Sequence, residues 1–216
     1  NILIKLIPRE IREAEFPTVD FLSEEQQQVY EEACKRFKNK NAISYLNVPR
    51  SGSNLFKVLL LNQIGIRTAS LSELESALEN GMDFKGHYED APAVVLRSAG
   101  DTYSPNDYLA KNLAEQLAVK EFKAPFVVEG LRVVEDDNSK YGLRFERTDL
   151  TKVIEVPDLG CQNNRRNFLR INPNYSIDFN EKGTRTLYTK SSGVSRLCLD
   201  RGLYLDSSDG FLAGSS

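Results

Sequence analysis

The chain has 216 residues, 40% hydrophobic, 27% charged and 9% aromatic, with a formal net charge of −3. This balance excludes collagenous, low-complexity and wholly disordered chains, and at this length roughly 70% of the unfolded surface can be buried without a disulfide or metal staple. The longest apolar runs, Val58–Leu61 and Ala93–Leu96, fall far short of the ~20 residues that a membrane-crossing helix needs.

Taken in chain order, the first half predicts helices around a short sheet. Ser23-Glu-Glu-Gln26 has the form of a capping box, and Val29, Tyr30, Ala33 and Phe37 follow it at helical spacing. Ala42–Val48 has strand composition, Pro49–Ser53 reads as a turn, and Asn54–Ile64 reads as an apolar helix stopped by Gly65. A second capping box, Ser70-Leu-Ser-Glu73, opens a helix with Leu71, Leu74, Ala77 and Leu78 as its core stripe and Asn80-Gly81 as its stop. Ala93–Leu96 reads as a buried strand, and Ser104-Pro105-Asn-Asp107 as the start of a helix carrying Leu109, Leu113 and Leu117.

Beyond Pro125 the pattern turns to strands. Phe126–Val134 and Leu143–Arg147 are joined by a turn-rich segment, and Val153–Val156, Phe168–Ile171, Ser176–Phe179, Arg185–Thr189 and Arg196–Leu199 continue the series. Glu181-Lys-Gly183 is expected to be a hairpin turn between two of these strands. The fold class expected is therefore α+β: N-terminal helices around a short sheet, then an antiparallel strand-rich C-terminal region. The division falls at 1–122 and 123–216, the two parts either separate or joined in one compact domain. Charge is divided unequally too: residues 1–160 hold 20 basic and 26 acidic residues, whereas 161–216 hold 8 and 5, a net of +3.

Cys34, Cys161 and Cys198 are odd in number and lack metal-ligand spacing, so a reducing compartment is expected, with a cytoplasmic location and no metal. The first residues carry none of the marks of a secretion signal. His87 is the single histidine; flanked by Glu89 and Asp90, it is the one weak candidate for a catalytic base. Otherwise no recognisable nucleophile motif is present, which leans away from an enzyme and calls for no cofactor.

Two clusters suggest binding. Arg50, Ser51, Gly52, Ser53 and Asn54 lie between a predicted strand and a predicted helix start, where free N–H groups and the positive helix end attract anions; Arg97, at the end of another strand, is a further contributor. Pro49-Arg-Ser-Gly-Ser53 resembles the loop with which sulfotransferase-like proteins hold a phosphosulfate donor, a resemblance of five residues that implies an anion-binding loop. The Lys of a strict phosphate loop is absent.

The second cluster is Asn163–Arg170, in which Arg165, Arg166 and Arg170 accompany Phe168. Guanidinium groups with an aromatic ring suit single-stranded nucleic acid, and Arg185, Tyr188, Lys190, Arg196, Arg201 and Tyr204 would extend the surface if their strands are neighbours. The acidic stretches Asp136-Asp137-Asn138 and Asp206–Gly210 lack the ligand spacing of a calcium loop and read as turns.

The expectation is thus a non-catalytic binding or assembly protein whose mildly basic C-terminal sheet meets an acidic partner, RNA or an acidic protein. The alternatives are an enzyme or sensor of a phosphorylated or sulfated small molecule at the Pro49–Asn54 loop, and a structural subunit of a larger complex or virion.

Overall fold

A computed structural model describes residues 23–38, 54–82, 89–97, 108–119, 124–139, 141–160, 165–189, 193–199 and 202–206. The elements in order are α1 (Glu24–Lys35), α2 (Asn54–Gln63), α3 (Leu71–Glu79), β1 (Glu89–Arg97), α4 (Tyr108–Gln116), β2 (Phe126–Glu135), β3 (Leu143–Glu155), a 3-10 turn (Pro157–Gly160), β4 (Arg165–Ile171), β5 (Ile177–Phe179), β6 (Arg185–Thr189), β7 (Gly193–Leu199) and β8 (Gly202–Asp206). Helices first and strands afterwards give the α+β class expected from the sequence.

Local chemistry explains the helix ends. Ser23 Oγ accepts the Gln26 N–H at 3.2 Å while Gln26 Oε1 accepts the Ser23 N–H at 3.0 Å, and Ser70 and Glu73 repeat the exchange at α3. Both α2 and α3 close with a glycine in the left-handed region, Gly65 and Gly81, so that the N–H groups of Ile66 and Met82 reach back to Leu61 and Ala77. The end of α4 has the same bonding, Val119 N–H to Ala114 and Ala118 N–H to Glu115, but the left-handed residue there is Ala118 at φ 56°.

The strands form one sheet in the order β3-β2-β1-β7-β8-β6-β4-β5, antiparallel throughout except for β6 beside β8. The strand from the helix-rich half, β1, lies between β2 and β7 and is buried on both faces. Its Val94 and Leu96 join a core with α1, α2 and α4, whereas Ala91, Ala93 and Val95 join a second core with α3 and the inner side of β4. Period-two alternation thus gives each face of the strand its own helices. In α1 the buried residues are Tyr30, Ala33 and Cys34, with Phe37 beyond the helix end, while Val29, expected in the core, is exposed. Among the described residues no helix is long and apolar enough to cross a membrane.

Three expectations are corrected. Leu143–Arg147 and Val153–Val156 do not form two strands: β3 runs through both and bulges at 148–151 opposite Gly130. Gly130 sits at φ 68° with the Leu150 carbonyl where a Cβ would stand, so a side chain has no room there. The hydroxyls of Thr148 and Thr151 both donate to the Gly130 carbonyl, at 2.8 and 3.1 Å, and Leu150 at the bulge is 79% exposed. Next, the turn at Glu181–Gly183 joins β5 to β6, but these do not pair with each other; both run antiparallel to β4. Finally β8, absent from the sequence reading, adds a parallel neighbour to β6.

The outer edge of β3 is partly closed from within. Gln116, the last residue of α4, donates from Nε2 to the Phe145 carbonyl at 2.8 Å and accepts the Arg147 N–H at Oε1 at 3.0 Å. Residues two apart on a strand point their peptide groups the same way, so the side-chain amide takes the place of a neighbouring strand's peptide unit.

Candidate nucleic-acid interface

Of the anion-binding candidates, Arg50, Ser51, Gly52 and Ser53 lie outside the described residues, as does His87. Asn54 opens α2 and Arg97 ends β1, paired with Gly193. Asp90, three residues after His87, is a buried residue of β1.

The acidic stretch at Asp136 is a turn. Asp136 accepts from the backbone and side chain of Asn138, receives the Tyr108 hydroxyl at 2.5 Å and faces Arg144 at 3.5 Å. The Tyr108 hydrogen bond, opposed by burial and aided by Asn138 and Arg144, holds the Asp136 carboxyl below the usual carboxylate range; the same bond, with burial, holds Tyr108 above the usual phenol range. Arg144 also meets Glu146 at 2.7 Å, and Glu146 receives Arg132 Nε at 2.6 Å. These carboxylates are occupied by protein donors.

The arginine-rich segment becomes β4. Backbone pairing sets Arg165 opposite Tyr188, Arg166 opposite Leu187 and Phe168 opposite Arg185 on one side, and Phe168 opposite Phe179 on the other. The sequence suggests an exposed stacking surface for Phe168; it is instead 0% exposed, in the core beneath α3. Burying such a ring contributes about 1.5–3 kcal/mol. The large apolar side chain that β4 exposes is Leu169, at 55%.

Arg185, expected on the same surface, is also withdrawn from it. Its Nη1 meets Glu75 Oε1 on α3 at 2.5 Å, with the two side chains 13% and 4% exposed, and its guanidinium lies 4.6 Å from the Phe168 ring centroid. The same Glu75 oxygen accepts the Ile171 N–H at 2.9 Å, while Glu75 Oε2 and Arg185 Nε and Nη2 are buried with no hydrogen-bond partner among the described residues. The pair joins α3 to β4 and β6, and because removing charges from water costs several kcal/mol per ion, its net contribution to stability is expected to be small.

The exposed arginines of β4 have different settings. Arg170 Nε donates to Asp178 at 2.6 Å, with both side chains well exposed, and Asp178 is held below the usual carboxylate range by Arg170 and then Asn172. Arg166 is exposed, and its guanidinium carbon lies 3.4 Å from the Phe179 ring centroid. Along this face runs a row that begins at the solvent and ends at a buried acid: Arg166, Phe179, Phe168, Arg185, Glu75.

Tyr175 anchors the β4–β5 connection. It sits at φ 67°, buried, and its hydroxyl donates to Glu129 on β2. Burial first, then the Glu129 bond, hold that hydroxyl far above the usual phenol range, so it stays a donor.

The sequence starts this strand at Phe168, whereas β4 begins at Arg165 and so includes Arg166 with Arg170; sequence reasoning misses Phe179, Glu75 and Tyr175. Glu75 had a readable signal: it lies among Leu71, Leu74 and Leu78 on the apolar stripe of α3, where a solvated acid is out of place. Phe179 had none, because its contact with Arg166 depends on strand register. Compared with known proteins, the chain matches no family model, no curated protein and no solved structure.

Proposed function

We propose that this chain is a non-catalytic binding protein whose β4–β5 face meets an acidic macromolecular partner, RNA foremost. The observation that carries this reading is the exposed Arg166 held against Phe179, with Arg170 on the same strand, in a C-terminal segment of net charge +3. Guanidinium groups displayed beside an aromatic ring attract phosphates and accept planar ligands.

The test is a titration of labelled RNA over a range of salt concentrations. Replacing Arg165 and Arg166 together with Glu is expected to weaken binding at least tenfold and to flatten its salt dependence, because two phosphate-neutralising charges are lost. Unchanged binding at low salt overturns the reading.

A second reading, a subunit of a larger assembly, is favoured by one observation: Leu150 is 79% exposed and Val153 43% exposed on the edge strand β3. In that case partner chains add to the β3 edge.

A further inference from the structure

We infer that Asn80-Gly81, at the end of α3, is a self-modification site: the side-chain amide of Asn80 is lost through a cyclic imide when the last turn of the helix opens, and the product uncaps the helix. The inference stands apart from the binding reading above.

Asn80 is the one asparagine in the chain that a glycine follows. The reaction there needs only water. The Gly81 backbone nitrogen, giving up its proton to solvent, attacks Asn80 Cγ. The new N–Cγ bond closes a five-membered imide, and the side-chain nitrogen leaves as ammonia. Water then opens the ring at either carbonyl, which gives aspartate on the ordinary backbone or isoaspartate, whose main chain runs through the former side chain. Glycine favours closure because it has no side chain to obstruct the attacking nitrogen and its backbone turns freely. Asn80 and Gly81 are exposed, with open space around the Gly81 α-carbon, so water reaches both.

The folded helix holds the reacting atoms apart. Asn80 Nδ2 donates to the Ser76 carbonyl at 2.7 Å, which turns the side chain back along the helix, and the Gly81 N–H donates to the Leu78 carbonyl at 3.0 Å. Both bonds must break before the Gly81 nitrogen meets Cγ. They lie at an exposed helix end, and such ends open locally at far lower cost than the whole chain unfolds. The buried residues of α3, Leu71, Leu74, Glu75 and Ala77, keep their places while this happens.

The product cannot rebuild the end. The departing nitrogen is the atom that served the Ser76 carbonyl; the carboxylate that replaces it only accepts, and it sets negative charge against the negative end of the helix. In isoaspartate the main chain between positions 80 and 81 gains a methylene. The N–H groups of Gly81 and Met82 then lose their register with the carbonyls of Leu78 and Ala77, which they meet at 3.0 Å in the unmodified chain.

The experiment ages the intact chain in mildly alkaline buffer without urea, in urea below the unfolding transition, and in urea strong enough to unfold it, and follows each asparagine by peptide mass mapping. In the folded chain Asn80 is expected to convert before any other asparagine, about tenfold or more slowly than in the unfolded chain, at a rate that low urea leaves unchanged. Asn80→Asp makes the ordinary product directly and is expected to speed hydrogen exchange at the Met82 amide about tenfold, with circular dichroism unchanged. Asn80 keeping its amide in the folded chain while the unfolded chain loses it, another asparagine converting first, equal rates folded and unfolded, or a rate that climbs steeply in low urea each overturn the site as gated by the helix end. Met82 exchange unchanged in Asn80→Asp overturns the uncapping.

Discussion

Ala118 holds a backbone conformation that its own Cβ resists. At φ 56° it closes α4 with the bonding that Gly65 and Gly81 give α2 and α3, and in that region a non-glycine residue carries a penalty of about 1–2 kcal/mol. Ala118→Gly is therefore expected to raise stability by about 0.5–1 kcal/mol, the relief of strain being partly offset by a freer unfolded chain, as read from urea unfolding. Tyr175 is also left-handed, yet the same exchange should do the opposite. Its ring is buried and its hydroxyl holds Glu129, so Tyr175→Gly is expected to lose about 2 kcal/mol or more. If both variants move stability the same way, backbone strain and side-chain anchoring are not the separate effects described.

At the scale of elements, α3 is joined to β4 and β6 by one carboxylate. Glu75→Leu leaves Arg185 buried without its counter-charge and frees the Ile171 N–H, for an expected loss of about 3–5 kcal/mol. Adding Arg185→Met, which fills similar volume without charge, is expected to recover most of that loss; the Ile171 N–H sets what is not recovered. A double variant as unstable as the single one would mean that the pair contributes net stability. Elements were legible where their signals are local. Ser23 with Gln26 and Ser70 with Glu73 mark helix starts from three residues away, and Asn80-Gly81 marks a stop. The β4 site was legible only in part, because alternation divides a strand into two faces without saying which face α3 covers. Hence alternation alone puts Phe168 outside with Arg185 beside it, and the bulge at 148–151, which lacks alternation, reads as the end of a strand.

At the scale of the whole molecule, the sheet formed by the described residues has eight strands and two edges, and such edges must be kept from finding other chains. The β5 edge is three residues long, too short to template much. The β3 edge runs for thirteen residues and is protected by its bulge and by Gln116. Gln116→Ala removes the amide and leaves the Phe145 carbonyl and Arg147 N–H open on the edge. The expected result is self-association at lower protein concentration than the parent chain, measured by sedimentation velocity, with the helical signal unchanged. Identical sedimentation at every concentration would show that the bulge alone protects the edge.

The place of β1 also imposes a timetable on synthesis. One edge of this strand is taken by β2, which begins at Phe126, but the other belongs to β7, which begins only at Gly193. At ribosomal speed the interval from Arg97 to Gly193 lasts roughly 5–20 s. Throughout it the nascent chain carries Ala93-Val-Val-Leu96 with an unpaired edge, the most apolar segment of the sheet and the most adhesive. For as long as β7 remains inside the ribosome, that edge of β1 lacks its native partner. A chain ending before residue 193 would leave this edge of β1 without its native partner.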